Sequence, residues 1–235
     1  MNWKLITAGA IAISLGVHAS AGAVPILLTN PGFEAPAVAT VNNGPIVGWD
    51  IGGNVAGAWN INAFPQGYWT SSAPEGNQIG WVSAAHLVSG PAWIVQVLSD
   101  TLQADALYTL TGQVGHPIGF GASSNPDTVY RVALLAGINI LSELFATGPE
   151  GTFTPFQLTF DSTGSPFVGQ PLQVQLSSSQ PQTGFDDIQL DVGDVAAYVG
   201  DREATVPEPG ALLLLGVGLA GLAVARRWRQ APLAA

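Results

Sequence analysis

Short segments in which apolar and polar residues alternate recur through most of this 235-residue chain, separated by Gly, Pro, Asn and Ser. In residues 172–177, Leu and Val alternate with Gln and Ser, and in residues 156–160, Phe and Leu alternate with Gln and Thr. A period of two places successive side chains on opposite faces of a strand. No segment between residues 25 and 192 sustains a helical period. The pattern therefore predicts antiparallel strands with one buried face each.

These segments predict one all-β domain over residues 24–192. About ten strands without alternating helices are typical of an antiparallel two-sheet β-sandwich, and a chain of this length can bury a full core. Residues 193–206 have no clear pattern and are interpreted as a linker. The predicted strands are residues 25–29, 46–51, 57–62, 77–83, 92–100, 106–115, 128–136, 153–161, 171–178 and 184–192.

The charge balance excludes several classes of function. Residues 24–206 contain 15 carboxylates and two arginines, and the whole chain has a net charge of −10. Such an acidic surface repels phosphate backbones, so we expect no nucleic-acid partner.

The chain has no cysteine, which excludes disulfides, thiolate metal sites and a cysteine nucleophile.

The N-terminus has the features of a secretory signal peptide. Lys4 precedes an apolar stretch over residues 5–17, and Ala-Ser-Ala and Ala-Gly-Ala at residues 19–23 are suitable cleavage sites. We predict a signal peptide over residues 1–23. The alternative is an uncleaved anchor helix, against which the short apolar stretch and its small-residue end both argue.

A second apolar stretch lies near the C-terminus and predicts a transmembrane helix over residues 210–225. The uncharged run over residues 209–225 is just long enough to span a bilayer, and the basic residues after it are typical of the cytoplasmic side. The alternative is a buried helix of a soluble protein. The run has no polar face, which disfavours that alternative.

Characteristic residues flank this apolar stretch: Pro207, Glu208 and Pro209 precede it, and Arg226, Arg227 and Arg229 follow it. In this order and position they resemble the PEP-CTERM sorting signal of exported bacterial proteins, which makes residues 207–230 the predicted signal. The resemblance implies processing by an exosortase near the Pro-Glu-Pro motif and transient residence in the inner membrane. It further implies release to the cell surface or the extracellular matrix.

Five short motifs lie in order along the central domain: Asn-Pro-Gly-Phe-Glu at residues 30–34, Gly-Trp at 48–49, Glu-Gly-Asn-Gln at 75–78, Tyr-Thr-Leu-Thr-Gly at 108–112 and Phe-Asp-Asp-Ile at 185–188. Together they resemble a jelly-roll carbohydrate-binding module of the galactose-binding-like type. Such modules often bind a structural Ca²⁺ near the first and last strands, and the resemblance implies that the matching residues here are Glu34, Asp186 and Asp187.

Alternation in the last strand gives independent support to a site at Asp186. If Ile188 and Leu190 point inward, Asp186 lies on the same side, while Asp187 faces out. A buried ionised carboxylate requires a partner, and Ca²⁺ binds oxygen ligands. The alternative is that Asp186 caps backbone N–H groups while Asp187 is solvated.

Five tryptophans lie within residues 49–93 and bear on the question of a ligand. Indole rings stack on the apolar faces of sugars, so the cluster favours glycan binding. Trp81 and Trp93 alternate in phase with apolar neighbours and are predicted to lie in the core. Trp59, Tyr68 and Trp69 lie in a Gly-, Asn- and Pro-rich segment with Phe64. We expect them to be exposed on loops and to bind the ligand, with packing as the alternative.

Catalytic motifs are scarce in the sequence. Only His86 and His116 follow the predicted signal peptide, and the Gly-His-Pro at residues 115–117 is interpreted as a turn. No hydrolase, zinc-protease, phosphate-loop or EF-hand motif is present. We therefore predict an exported, non-catalytic protein that binds extracellular polysaccharide. The alternatives are a purely structural matrix protein and, less favoured, a polysaccharide-active enzyme.

Overall fold

Two antiparallel sheets, formed by eleven strands in the described residues, pack face to face. The computed structural model describes residues 22–53, 55–84, 92–120, 129–179 and 182–195. The strands are β1 (Val24–Ile26), β2 (Asp50–Gly52), β3 (Val55–Trp59), β4 (Ile79–Ser83), β5 (Ala92–Thr101), β6 (Ala106–Gly115), β7 (Tyr130–Ala136), β8 (Asn139–Ala146), β9 (Thr154–Asp161), β10 (Pro171–Ser178) and β11 (Gln182–Asp194).

The strand order is that of a jelly roll. One sheet has the order β3-β4-β11-β6-β9, and the other has the order β2-β5-β10-β7-β8. From β4 onward, these orders interleave two antiparallel Greek keys, as in other double-sheet jelly rolls. β1 adds to the first sheet by pairing with the C-terminal part of β11. The predicted all-β sandwich of two antiparallel sheets is confirmed.

The main core lies between the sheets. Tyr108, Leu110, Leu172, Leu176 and Phe185 are among its fully buried side chains. Alternation in β6 and β10 places their apolar residues inward, as the sequence pattern predicted. Burial of these side chains supplies the main driving force for folding.

The phase of β5 differs from the prediction. Ile94 and Leu98 point into the core, and Trp93 lies on the outer face and is half-buried. Gln96 also points inward, where its side-chain amide bonds both Thr29 N and Thr29 O, at 2.7 and 2.8 Å. The core position predicted for Trp93 is therefore wrong. Because Gln96 is buried and both faces of β5 have apolar residues, the sequence pattern does not show which face of the strand points inward.

β8 was not predicted from the sequence. It follows β7 through a two-residue hairpin turn in which Gly137 has a φ of 57°. The pairing of β7 with β8 shifts between Leu134 and Leu135, which interrupts the alternation. As an edge strand, β8 has both faces partly exposed and no clear apolar face.

The predicted signal peptide (except its last two residues), the transmembrane helix over residues 210–225, the sorting residues and His86 lie outside the described residues. Most of the predicted linker also lies outside, although β11 continues to Asp194. Within the described ranges, no helix has the length and apolar character needed to span a membrane.

Candidate functional site

A pocket of about 270 Å³ lies on the outer face of the first sheet. Of the eight described residues that line it, five have aromatic side chains and two are glutamines. None of the described residues that line it has a carboxylate, an imidazole or a cationic group. The lining residues are Val41, Trp59, Phe64, Gln66, Tyr68, Trp81, Phe120 and Gln182.

Edge strand β3 and its neighbour β4 supply the floor of this pocket, and the loop after β3 supplies its wall. The indole N–H of Trp59 donates to Phe64 O at 2.9 Å, and that of Trp81 donates to Asn42 O at 3.2 Å. Tyr68 packs edge-on against Trp59 and Phe120, with ring centroids 6.0 and 5.6 Å away. These contacts hold the rings in place before any ligand arrives.

A second hydrophobic cluster explains this arrangement. Trp59, Ile61, Trp69, Ile79 and Trp81 pack together on the outer face of the first sheet, apart from the core between the sheets. The loop that follows β3 therefore folds back over the sheet. The burial predicted for Trp81 is confirmed, although Trp81 belongs to this second cluster.

The predicted exposure of Trp59 and Trp69 is wrong. Their exposed fractions are 4% and 5%, and Trp69 stacks on Phe153 with ring centroids 4.7 Å apart. Trp59 and the half-buried Tyr68 still line the pocket, but Trp69 does not. The missing alternation in this loop was interpreted as exposure, yet the loop aromatics are buried by the sheet beneath them.

Several pocket residues were not predicted as ligand contacts. Gln66, Phe120 and Gln182 come from separate parts of the chain and meet only through the tertiary fold. The backbone bond from Ile118 N to Tyr68 O, at 2.9 Å, brings the segment after β6 to the loop after β3. No local sequence signal indicates such a contact.

Asp186 forms the second notable feature, at a bulge in β11. The pairing of β11 with β6 shifts between Asp186 and Gln189, and Asp187 has a φ of 50°. The bulge changes the alternation, so that Phe185 and Ile188 both belong to the core. Asp186 is fully buried, and its carboxyl accepts hydrogen bonds from Glu75 N at 2.9 Å and Asp187 N at 2.8 Å.

Burial dominates the electrostatics of Asp186. Desolvation raises its pKa to about 8, and the two backbone N–H groups only partly oppose this effect. The carboxyl of Glu75 lies against Gly32, where a Cβ atom would be 1.9 Å from Glu75 Oε2 and 3.6 Å from Asp186 Oδ1. Two carboxyls thus approach each other around Gly32, and none of the described residues forms an ion pair with Asp186.

The other two predicted calcium ligands have different partners. Glu34 Oε1 accepts hydrogen bonds from the backbone N–H groups of Asn77 and Gln78, at 2.8 and 2.7 Å. Asp187 accepts a hydrogen bond from Gln189 and lines a groove of about 310 Å³ over β6 and β9. Across the described ranges, no group of three acidic or histidine side chains is arranged to hold a metal ion. Of the predicted ligands, only Asp186 has the buried, uncompensated carboxyl that a cation would neutralise.

His116 lies just after β6 and is fully buried, so its segment is more than an exposed turn. Its Nδ1 lies 2.8 Å from Gln182 O, so Nδ1 carries the proton and donates it to that carbonyl. Nε2 has no hydrogen-bond partner among the described residues. Desolvation lowers the pKa of His116, and the Gln182 carbonyl and nearby Glu150 oppose this shift.

Comparison with known proteins defines the class of the domain. Residues 24–191 match the HpiC1-like family, described as HpiC1 cyclase. The match spans most of the chain, and the chain therefore belongs to the HpiC1-like family. Residues 205–229 match the PEP-CTERM protein-sorting motif, which confirms the sorting signal and indicates an exported protein that is processed at the membrane. No curated protein matches.

Two solved cyclase structures support the same assignment. The Stig cyclase Fisc from Fischerella sp. TAU, in complex with (3Z)-3-(1-methyl-2-pyrrolidinylidene)-3H-indole, is 26% identical, with a TM-score of 0.64 over 74% of this chain and 99% of that chain. A cyclase from Fischerella sp. TAU in complex with 4-(1H-indol-3-yl)butan-2-one is 28% identical, with a TM-score of 0.62 over 73% of this chain and 98% of that chain. A carbohydrate-binding module in complex with β-1,4-galactotriose also matches, at 13% identity and a TM-score of 0.45 over 69% and 95% of the two chains.

Proposed function

We propose that this exported jelly-roll domain binds exopolysaccharide without catalysing a reaction, and that the aromatic pocket holds one neutral sugar ring. The observation that carries this proposal is the pocket lining, which combines five aromatic rings with two side-chain amides and no charged group among the described residues.

The lining suits a neutral ring on physical grounds. Aromatic faces attract the apolar C–H face of a sugar, while Gln66, Gln182 and the Tyr68 hydroxyl can bond its hydroxyls. A volume of about 270 Å³ lies just below the usual range of ligand pockets, about 300–1,000 Å³. The pocket therefore suits a single ring better than a long ligand.

The same lining disfavours catalysis at this pocket. General acid–base chemistry needs a titratable group within hydrogen-bond reach of the reacting atom, with a pKa near the working pH. Among the described residues that line the pocket, Tyr68 is the only titratable one. Asp186 and His116, whose pKa values are shifted, are not among the lining residues.

A second candidate function is a cyclase that acts on an indole-containing compound. Membership of the HpiC1-like family favours it, because two similar structures were solved with indole compounds bound. A flat indole would also suit an aromatic pocket. This candidate differs from the first because it requires a proton donor or acceptor at the bound ring and a product that differs from the substrate.

Processing and location form part of the proposal. We propose that an exosortase processes the chain near Pro207–Pro209 while the tail is in the inner membrane. The domain then resides at the cell surface or in the extracellular matrix, where exopolysaccharide is available. The sorting motif supports this route. A purely structural matrix protein without a ligand is the outcome if no sugar binds.

We also retain structural Ca²⁺ as a proposal, at Asp186. The support is a fully buried carboxyl that no described cation neutralises. Because no three acidic or histidine side chains converge in the described part of the chain, such an ion would take most of its ligands from backbone carbonyls and water. Ca²⁺ should then raise the thermal midpoint of the full-length chain. An unchanged midpoint over a wide range of Ca²⁺ concentration contradicts this proposal.

Titration calorimetry on the full-length chain tests the main proposal. Exopolysaccharide from the source organism and its neutral oligosaccharide fragments are one set of probes, and indole compounds are the other. The variants are Tyr68→Leu, which removes an aromatic face, and Gln66→Asn, which shortens an amide but tolerates the positive φ of 50° at that position. Gln103→Asn, at an exposed site away from the pocket, is the matched control.

We expect the native chain to bind the sugar probes. Tyr68→Leu should weaken their affinity about tenfold, because loss of a ring contact worth about 1.4 kcal/mol corresponds to that factor. Gln103→Asn should leave the affinity unchanged. Conversion of an indole substrate into a new product would instead establish the second candidate. Absence of binding to both sets of probes by a folded protein would refute the proposal and favour a structural role.

A further inference from the structure

A second cleft, separate from the aromatic pocket, opens between the edges of the two sheets. β2 is an edge strand of one sheet and β3 is an edge strand of the other. The cleft between them has a volume of about 480 Å³. Trp49, Ile51 and Val55 supply much of its apolar lining, and Asn43 and Asp50 supply polar groups.

The segment at residues 41–45 separates this cleft from the aromatic pocket. Asn42 fixes the segment to β3, because Asn42 N donates to Ala58 O at 2.9 Å and Asn42 Oδ1 accepts from Ala58 N at 2.8 Å. Val41 lines the pocket on one side, whereas Asn43 lines the cleft on the other. The two sites therefore share a wall, and none of the described residues lines both.

The cleft is held in shape by the residues behind it. The indole N–H of Trp49 donates to Asn30 O at 3.1 Å, and its ring lies 5.1 Å from the ring of Phe33, centroid to centroid. Trp49 is only 4% exposed, so its position is fixed by the core. A ligand would meet a preformed surface, which lowers the entropic cost of binding.

The charge of the cleft determines which ligand it suits. Among the described residues that line it, Asp50 is the only ionisable one, and none of the described residues forms an ion pair with it. Asp50 is exposed, so its attraction for a cation is modest, and the apolar lining beside it supplies the rest of the contact. The chain as a whole is acidic, with a net charge of −10, which further favours a cationic ligand.

We infer that this cleft is a second ligand site, which binds a cationic amino-sugar unit. The ring rests on the apolar lining, its ammonium group pairs with Asp50, and Asn43 can bond a hydroxyl. This inference is independent of the proposed role of the aromatic pocket, since the cleft has its own residues and a charged lining. If both sites bind, the domain can contact two sugar units at once.

Calorimetry with the full-length chain and a glucosamine trimer, at a pH where its amines are protonated, tests the inference. The fully N-acetylated trimer is the neutral comparison. Asp50→Asn removes the charge at the cleft with almost no change of shape. Asp105→Asn is the matched control, because it removes one charge at an exposed turn between β5 and β6 where a φ of 52° suits Asn.

We expect Asp50→Asn to weaken binding of the glucosamine trimer about threefold, which corresponds to about 0.7 kcal/mol for an exposed ion pair. Asp105→Asn and Tyr68→Leu should leave that affinity unchanged, and the N-acetylated trimer should bind at least about threefold more weakly to the native chain. Equal losses in the Asp50 and Asp105 variants would overturn the inference, because they would indicate nonspecific attraction to an acidic surface. Equal affinity for the two trimers, or no binding of the glucosamine trimer by the folded native chain, would also overturn it. An exopolysaccharide affinity that Tyr68→Leu leaves unchanged would refute the proposed function. It would leave this inference intact, because the inference depends on Asp50 and the glucosamine trimer.

Discussion

At the scale of single residues, Asp186 makes the stability of the fold depend on pH. Burial raises its pKa from 3.8 to about 8, so between these values the folded state holds a proton that the unfolded state has lost. The free energy of unfolding contributed by this group is therefore fully present below about pH 4. It declines as the pH rises toward 8, with a slope that approaches about 1.4 kcal/mol per pH unit.

Urea unfolding between pH 4 and 8 should detect this slope as a difference between the native chain and Asp186→Asn, which cannot ionise. At pH 4 the substitution lowers stability, because the amide N–H₂ of Asn faces a backbone N–H that donates to the native carboxyl. The difference between the two chains should shrink as the pH rises. A constant difference would mean that Asp186 does not retain its proton in the folded state. Added Ca²⁺ that abolishes the slope would support metal binding at this carboxyl.

His116 produces the opposite dependence on pH. Burial lowers its pKa, so the unfolded chain binds a proton more readily than the folded chain. The stability contributed by this group is present above about pH 6.5, the unfolded value, and is lost as the pH falls through the folded pKa. His116→Asn keeps a donor for the Gln182 carbonyl and cannot titrate. Its stability should fall less than that of the native chain on acidification below about pH 6.5, and parallel losses would contradict this assignment.

At the scale of elements, Trp69 tests how the loop after β3 is held against the sheet, and Trp93 in β5 provides a comparison. Trp69 is 5% exposed and stacked on Phe153, whereas Trp93 lies half-buried on the outer face of β5. Trp69→Ala should lower the free energy of unfolding by about 3–5 kcal/mol, as expected for a fully buried ring. Trp93→Ala should cost less, about 1–2 kcal/mol, because less apolar surface leaves water there on folding. Urea denaturation of both variants checks the order, and a larger loss for Trp93 would contradict the observed packing.

These two residues also mark what could be predicted from the sequence. Clear alternation in β6, β9 and β10 predicted their extents to within one residue, because one face of each is apolar and the other polar. The phase of β5 was mistaken because Gln96 is buried and both faces carry apolar residues. β8 was missed because an edge strand with a bulge has no strict period.

The candidate site was less predictable from the sequence, because its residues come together only through contacts between distant segments. The buried position of Asp186 was predicted correctly, but the bulge that places it beside Glu75 depends on pairing between β11 and β6. The pocket joins Trp59 and Tyr68 to Phe120 and Gln182, which meet only when separate strands pair. Contacts between distant segments leave no local pattern, whereas a linear signal such as the PEP-CTERM motif was identified with nearly its full extent.

At the scale of the whole molecule, the sorting motif and the folded domain should be separable in function. The motif matches residues 205–229, and the family match ends at residue 191. Replacing Pro207, Glu208 and Pro209 with alanine should therefore leave the domain folded and its ligand affinity unchanged. The protein should then stay in the membrane fraction at the mass of the unprocessed chain, since the exosortase would no longer recognise it.

Fractionation of cells, followed by mass spectrometry of the protein in each fraction, checks this prediction. Replacing Asp201, Arg202 and Glu203 with alanine is the matched control, because it alters the same number of residues upstream of the motif. This control should be processed and released like the native chain. Release of the motif variant at its native mature mass would show that the motif is not the processing signal. Loss of ligand affinity in the motif variant would show that the tail contributes to the binding domain, because the described residues that line the pocket and the cleft all fall within residues 41–182.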